Sequence, residues 1–300
     1  MATMSSTSPV PQITTAATPP HPRARVMARF LRHLPAVLGS IVLFLIIGAA
    51  LFAPLIAGPD PNALEFKLRK QPPSAEHIFG MDALGRDVYA RVVYGGRVSL
   101  SVGVIGVTIY LIIGTLLGSI SAYYGGKVDF AIQRVTDIML SFPTILLVIT
   151  FVTYTKPGII NLFLAIGLLN WPYVVRIIRA EVLSLRECEF VLAARAAGAP
   201  DARILLRHIL PGLVPILIVS ATFGIADAIL VESALSFLGL GVPPPTPSWG
   251  GMIRDAVSIT ILEQLPWLWI FPGMTIVVCV LAVNFIGDGL TAALNPRQQR

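Results

Sequence analysis

The stretch from Glu189 to Gly212 reads EFVLAARAAGAPDARILLRHILPG and separates two long apolar runs with a polar, arginine-bearing insert. Apolar residues recur at helical spacing on both sides of Gly198, so the insert is predicted to form two short helices. Gly198 followed by Pro200 is a helix stop, because glycine tolerates the left-handed conformation and proline does not continue the turn. The second helix is predicted to end just before Pro211, since a proline restricts the residue that precedes it. The insert is therefore predicted to be a rigid, bent hairpin.

The composition around this insert is that of a membrane protein. The 300 residues are 55% hydrophobic and 13% charged, with a mean hydropathy of +0.78, which lies outside the range of soluble globular chains. Six apolar runs are long enough, at about 1.5 Å of rise per residue, to cross a hydrocarbon core of about 30 Å. These runs are residues 34–57, 98–123, 130–155, 158–180, 213–235 and 267–293. The predicted fold is an all-α integral membrane protein with six transmembrane helices and the hairpin between spans four and five.

The sequence divides into a tail, a first span, an outer loop and a core. Residues 1–33 are rich in Ser, Thr and Pro without periodicity, and they are predicted to form a disordered cytoplasmic tail. The first transmembrane helix is predicted at 34–57, and residues 58–97 are predicted to be an extracytoplasmic loop that ends in an amphipathic helix on the outer face. Residues 98–297 form the predicted core, which holds the other five transmembrane helices.

The distribution of Lys and Arg predicts the orientation of the chain. Six spans place both termini on one side, and 13 of the 22 Lys and Arg residues lie on that side, against eight on the other. The positive-inside rule then predicts cytoplasmic termini and a cytoplasmic hairpin. The isoelectric point near 9.6 is attributed to this topology and to lipid contact, so no nucleic-acid partner is predicted.

A run of glycines and prolines breaks the helix directly after the fifth span. Trp249 follows among polar residues, a position typical of a tryptophan at a membrane interface. Irregular backbone at membrane depth is tolerated only against protein or a water-filled cavity. This segment is therefore predicted to dip back and form an outer gate, with candidate residues Ser236, Gly239, Gly241 and Trp249.

Four acidic residues lie within the apolar runs: Asp137, Asp227, Glu232 and Asp288. Each costs about 2.5–3.5 kcal/mol at mid-bilayer on insertion scales, so each needs a partner, water or the protein interior. Arg134 lies three residues before Asp137, which predicts an ion pair on one helix face. Asp227 and Glu232 lie in the outer half of span five and are the candidates to line a polar path for a substrate amine or other cation.

Two other classes of function, an intramembrane protease or other enzyme and a carrier or channel that works alone, find less support in the sequence. The four histidines lie outside the apolar runs and no metal-ligand spacing occurs, so no catalytic residue and no metal site is predicted. The phosphate-loop pattern fails at Ser121, where its first glycine is required, and at Val128, so no ATP site is predicted in this chain. A carrier or channel that works without ATP stays open as an alternative, with no internal repeat and no filter-like motif to favour it.

The hairpin resembles the EAA loop of ABC importer permeases. The match rests on an Ala-Ala pair, a glycine four residues later and a Leu-Pro pair, which are Ala193, Ala194, Gly198, Leu210 and Pro211. Leu192 stands where that family commonly has Glu, and His208 where Ile is usual. The resemblance implies a coupling helix that sits in a groove of a cytoplasmic ATPase. The docking residues that it implies are Glu189, Phe190, Leu192, Ala193, Ala194, Arg195, Gly198, Asp201, Arg203, Leu210 and Pro211.

Residues 79–100, 233–253 and 285–297 resemble segments of the dipeptide, oligopeptide and nickel permeases within that class. The resemblance implies one of two homologous permease chains in the bacterial inner membrane, with two ABC ATPase subunits and an extracytoplasmic solute-binding protein. ATP and Mg are then expected in the ATPase subunits, and no cofactor is expected in this chain. Dipeptides and oligopeptides are the implied solutes, with nickel chelates, glutathione-like peptides and other small solutes as alternatives.

Overall fold

The structure is a computed structural model that describes residues 22–58 and 60–294. All regular elements in this part of the chain are helical, so the all-α prediction is confirmed. Five helical segments are long and apolar enough to cross a membrane, and a bent helix pair makes a sixth if it counts as one span. The five are Leu34–Leu51, Val88–Tyr124, Ile159–Leu185, Asp201–Phe237 and Trp267–Leu294. The chain is thus an integral membrane protein whose backbone polar groups are satisfied within helices, as lipid requires.

The N-terminal region is more ordered than predicted. Helix α1 spans Pro22–Arg32 and packs against the last helix of the chain, where the Phe30 ring lies beside Gly289. The disordered tail predicted for 1–33 therefore does not extend over α1, and residues 1–21 lie outside the described residues. The half-buried Phe30 ring gives this helix its contact with the bundle, a signal that the Ser, Thr and Pro content of the whole tail obscures. Helices α2, Leu34–Leu51, and α3, Ala53–Ile56, occupy the predicted first span.

Helix α4, Val88–Tyr124, lies at the centre of the bundle. The Asp87 carboxylate caps its first turn by accepting a hydrogen bond from the Ala90 N–H at 2.9 Å. The predicted surface helix before span two is wrong, because those residues form the first turns of α4 and Arg91 among them is buried. Small residues along α4 let its neighbours approach, as at Gly118, where an added Cβ would lie 2.9 Å from a backbone carbonyl oxygen of the adjoining helix.

The predicted third span is broken in two. Helix α5, Gly126–Leu140, and helix α6, Thr144–Thr155, meet at 82°. The break falls at Pro143, which has no N–H to continue the hydrogen-bonded ladder. Helices α7, Ile159–Leu169, and α8, Trp171–Leu185, follow each other within the single fourth span, and a proline lies in the first turn of α8.

The ion pair predicted between Arg134 and Asp137 is wrong. Asp137 accepts a hydrogen bond from Arg176 of α8 at 2.9 Å, and the Arg134 guanidinium lies 4.9 Å from the Phe130 ring centroid. Spacing along one helix gave no information on the arginine that a neighbouring helix supplies.

The second half of the chain begins with the hairpin and ends in the last span. The hairpin holds helix α9, Glu189–Ala196, and helix α10, Asp201–Ile204, followed by a π-helical turn at Leu205–Ile209. The later helices are α11, Leu210–Phe237; α12, Trp249–Asp255; α13, Ile259–Gln264; and α14, Trp267–Leu294. The main core lies where α4, α7, α8 and α11 meet, and α11 connects the hairpin at one end of the bundle to α12 at the other.

Candidate functional site

The bend of the hairpin is a glycine-terminated helix end, as the sequence predicts. Gly198 has φ of +76°, and its N–H donates to the Arg195 carbonyl at 3.0 Å. The Ala199 N–H donates back to the Ala194 carbonyl at 3.1 Å, which completes a Schellman motif. No atom lies within 4 Å of the position where a Cβ on Gly198 would stand, so backbone conformation and not space requires glycine here.

The predicted end of the second helix before Pro211 is wrong. The chain runs from α10 through the π-helical turn into α11, and Pro211 lies in the first turn of α11. A proline is tolerated there, because its missing N–H would have no partner in a first turn. The hairpin is therefore joined to span five by continuous helix.

The hairpin buries a narrow apolar stripe and exposes most of the implied docking residues. Val191, Ile204 and Ile209 are buried against the end of the bundle. Ala194 and Leu210 are half-buried, so these two of the implied docking residues lie partly against the chain's own core. The exposed members are Glu189, Phe190, Leu192, Ala193, Arg195, Gly198, Asp201, Arg203 and Pro211. The outward surface of the hairpin combines apolar side chains with charged ones.

Tyr123, at the end of α4, holds the hairpin in place. Its buried hydroxyl donates to the Asp201 carboxylate at 2.7 Å, and the Arg195 guanidinium lies 5.7 Å from its ring centroid. Arg186 donates to the Ala122 carbonyl at 2.8 Å from the end of α8. Tyr123 is not among the residues predicted from the sequence, because its contact with Asp201 spans 78 residues and leaves no periodic signal.

A second link joins α8 to α5 at the same end of the bundle. Arg179 donates two hydrogen bonds of 2.7 Å to the two carboxylate oxygens of Asp129. Asp129 also accepts from the Ser121 hydroxyl, which in turn accepts from Gln133. Bidentate pairs of this kind fix direction as well as distance, so α4, α5 and α8 are held together beside the hairpin.

At the other end of α11, Glu232 is fully buried. Its carboxylate oxygens accept hydrogen bonds from the Ser99 hydroxyl at 2.8 Å and the Ser236 hydroxyl at 2.7 Å. Burial of a carboxylate is costly unless such donors surround it. Glu232 therefore links α4 to α11, and it does not line the cavity between α4, α6, α7, α8 and α11.

Trp249 is a core residue, and the prediction of an interfacial tryptophan is wrong. It is 1% exposed, and its indole N–H donates to the Val92 carbonyl of α4 at 2.9 Å. The polar neighbours that suggested an interface make internal contacts: Ser248 caps α12, and the Trp249 backbone N–H lies 3.5 Å from the Ser99 hydroxyl. Gly241 lies against Ser236, with no room for a side chain.

Charged side chains brace the outer loop against this packed region. The Arg86 guanidinium is paired with Asp82 at 2.5 Å and with Asp255 of α12 at 3.5 Å. Arg91 donates to the Asn62 side chain at 2.9 Å. The candidate gate residue Gly239 has φ of +85°, beside the Arg254 guanidinium. The candidate gate residues thus lie together, in a region held by buried polar contacts.

A cavity of about 680 Å³ opens between α4, α6, α7, α8 and α11. Its wall is mostly apolar, and the polar side chains in it are Tyr110, Thr144, Asn170, Tyr173, Ser220 and Asp227. The structure thus separates the two acids that the sequence grouped, since Asp227 is exposed on this wall and Glu232 lies in the core. Among the described residues, no group of three or more His, Cys, Asp or Glu side chains is placed to hold a metal ion.

Comparison with known proteins identifies the class of protein that this fold and these elements define. Residues 114–300 match the family described as "Binding-protein-dependent transport system inner membrane component", and residues 22–73 match the "N-terminal TM domain of oligopeptide transport permease C". The chain therefore belongs to the family of binding-protein-dependent transport system inner membrane components, and it is a multi-pass inner membrane transport permease.

Relatives with assigned names lie within this family. The chain is 46% identical over 88% of its length to the dipeptide transport system permease protein DppC of Alkalihalophilus pseudofirmus, 86% of which is covered. It is 45% identical to a Brucella ovis protein named as a peptide permease, over 93% of this chain and 92% of the relative. A Brucella abortus protein named as a peptide transport system permease is 41% identical over 90% of each chain.

Proposed function

We propose that this chain is a transmembrane subunit of an ATP-driven importer for dipeptides and oligopeptides, in which the hairpin docks on an ATPase. The exposed face of the hairpin carries this proposal. Phe190 and Leu192 are 49% and 44% exposed, and both lie in a short helix that hydrogen bonds and buried side chains fix to the bundle. Apolar side chains exposed on a rigid helix and surrounded by charged ones are typical of a surface that binds a groove of another protein.

The attachment of the hairpin supports a mechanical role. The hairpin is continuous with α11, it is held to α4 by Tyr123, and α8 leads into it through residues 186–188. A push on α9 would therefore move three membrane helices as a unit, which is how a rigid-body shift at one site reaches a distant one. ATP and Mg belong to two separate ATPase subunits in this proposal, and the hairpin and both termini face the cytoplasm.

The cavity wall supports a second permease chain. Asp227 is exposed on α11, and a carboxylate facing lipid at mid-bilayer would cost about 2.5–3.5 kcal/mol. This wall therefore needs water or another protein opposite it, and a homologous permease would close the cavity into a path. A solute-binding protein would deliver the peptide to the outer end, and the relatives' names supply the solute class.

The test is purification of the tagged chain from membranes in mild detergent, followed by mass spectrometry of what accompanies it. We expect a second permease and ATPase subunits with the unaltered chain. Ala193→Trp should release the ATPase subunits and keep the second permease, because Ala193 is exposed on α9. Thr260→Trp, on an exposed site of α13 at the other end, is the matched control and should change neither.

The contrary outcome is equally specific. A chain that purifies alone and moves dipeptides into liposomes without ATP would overturn the proposal in favour of a carrier.

A further inference from the structure

We propose that Asp227 is the counter-ion for the ammonium group of the translocated solute, so that this chain holds the amino end of a peptide. The inference rests on the proposed function and deepens it by naming the recognised group and the residue that recognises it.

The position of Asp227 is the first support. Its side chain is exposed on the wall of the 680 Å³ cavity, and it forms no salt bridge within the described residues. Asp129 and Asp137 are each paired with an arginine of α8, and Asp288 is exposed on α14 away from the cavity. Glu232, five residues further along α11, has two serine donors. Asp227 is thus a carboxylate in a membrane helix for which the described part of the chain supplies no charged partner.

The charge balance of the cavity fixes the sign of the ligand. No Lys, Arg or His is among the residues that line it, and Asp227 is the only acid there. A solute cation therefore gains an ion pair on this wall, whereas a solute carboxylate finds no counter-charge. An ammonium is the cation that every peptide with a free amino end carries near neutral pH.

The surroundings of Asp227 suit an ammonium with three N–H donors. Tyr110 of α4 packs against Gly224, one turn before Asp227, and an added Cβ on Gly224 would overlap its hydroxyl. The glycine thus lets the Tyr110 hydroxyl lie against α11 one turn from Asp227 on the same cavity wall. The Asn170 and Tyr173 side chains add neutral acceptors on the facing wall.

The same arrangement predicts the direction of the solute. The amino end lies against α11 of this chain, and the carboxylate end points away from it, towards the chain that closes the path. This wall recognises only the amino end, which all such peptides share. The rest of the wall is mostly apolar and carries no charge that could select a particular side chain of the peptide.

The experiment uses the complete complex in proteoliposomes with its binding protein. The probes are radiolabelled L-alanyl-L-alanine and its N-acetyl derivative, and the variants are Asp227→Asn and Asp227→Glu. Asp288→Asn is the matched control, since Asp288 is exposed on α14 and does not line the cavity. The binding protein is the same throughout, so differences between variants report on the path.

We expect Asp227→Asn to lower the ATP-dependent uptake rate of the free dipeptide about tenfold and to leave that of the acetylated peptide within twofold of the unaltered complex. Asp227→Glu should recover most of the rate for the free dipeptide, and Asp288→Asn should match the unaltered complex. An equal loss of uptake rate for both probes in Asp227→Asn, or no loss for either probe, would overturn the inference.

Two results need separate treatment. If the unaltered complex does not carry the acetylated peptide, the uptake rate of the free dipeptide in Asp227→Glu decides. A rate as low as that of Asp227→Asn contradicts the inference. If the unaltered complex takes up neither probe with ATP, the proposed importer of dipeptides fails before the role of Asp227 is reached.

Discussion

The two polar segments at the ends of α11 have similar compositions and opposite environments. The hairpin at 189–209 has Gly, Pro and Arg among small apolar residues, and most of its side chains face outward. The outer segment at 238–256 has the same residue types, yet residues 247–250 are all buried. The first segment is mostly surface, whereas the second places residues 247–250 in the core of the bundle.

Their glycines show the difference most clearly. Gly198 has open space around it and needs glycine for its positive φ. Gly250 lies in α12, where an added Cβ would meet the Ser233 backbone, so it needs glycine for close packing. Gly198 thus maintains the bend of an exposed surface, whereas Gly250 allows α12 to pack closely against α11. The expected effects of substitution follow from this contrast.

The largest effect is expected at the packed end. In Gly250→Ala the Cβ would lie 2.6 Å from the Ser233 Cα, and backbone atoms cannot rotate away as a side chain does. We expect a loss of about 3 kcal/mol in the free energy of unfolding, as in overpacked cores, measured by thermal unfolding of the purified complex. Gly273→Ala is the matched control, because nothing lies within 4 Å of its Cβ position. Equal stability of the two variants would show that the outer segment is loosely packed.

The second prediction concerns the buried carboxylate at the same end. Glu232→Ala would leave the Ser99 and Ser236 hydroxyls without their acceptor, so we expect a loss of about 2 kcal/mol in stability. Glu232→Gln retains one acceptor oxygen and should lose less, with dipeptide uptake per folded complex unchanged. A specific uptake defect in Glu232→Gln at normal stability would return Glu232 to the translocation path.

The third prediction moves to the hairpin. Gly198→Val places a β-branched residue at φ of +76°, which costs about 1–2 kcal/mol locally and distorts the bend without touching the core. We expect normal abundance of the complex, continued ATP hydrolysis and a marked loss of uptake. Gly198→Asn should behave much more like the unaltered chain, since Asn tolerates this conformation. Full uptake by Gly198→Val would remove the bend from the coupling mechanism.

The sequence predicts what depends on local chemistry. Long apolar runs predict the membrane helices, and Gly198 predicts the bend, because each signal lies within a short stretch of the chain. The polar neighbours of Trp249 along the chain predict an interface, but in the fold they contact other helices. Pro211 predicts a helix end, but it lies in a first turn, where a proline is tolerated.

What the sequence could not give is the pairing between helices. Asp227 and Glu232 have the same chemistry and lie five residues apart in span five, so their place in the sequence predicts the same role on a path for both. Only the packing of α4 against α11 puts Ser99 beside Glu232 and leaves Asp227 on the cavity wall. The same holds for Tyr123, whose partner Asp201 lies in another element.

The smallest effect is expected where the hairpin meets the bundle. Tyr123→Phe keeps the buried ring and removes only the hydrogen bond to Asp201, a loss of about 1 kcal/mol. Because that bond holds the hairpin to α4, the loss should appear as two- to threefold less uptake per ATP hydrolysed, with little change in complex stability. Tyr124→Phe, at the adjacent exposed tyrosine, is the control and should leave this ratio unchanged. An unchanged ratio in Tyr123→Phe would mean that motion passes from the hairpin to the membrane through α8 and α11 alone.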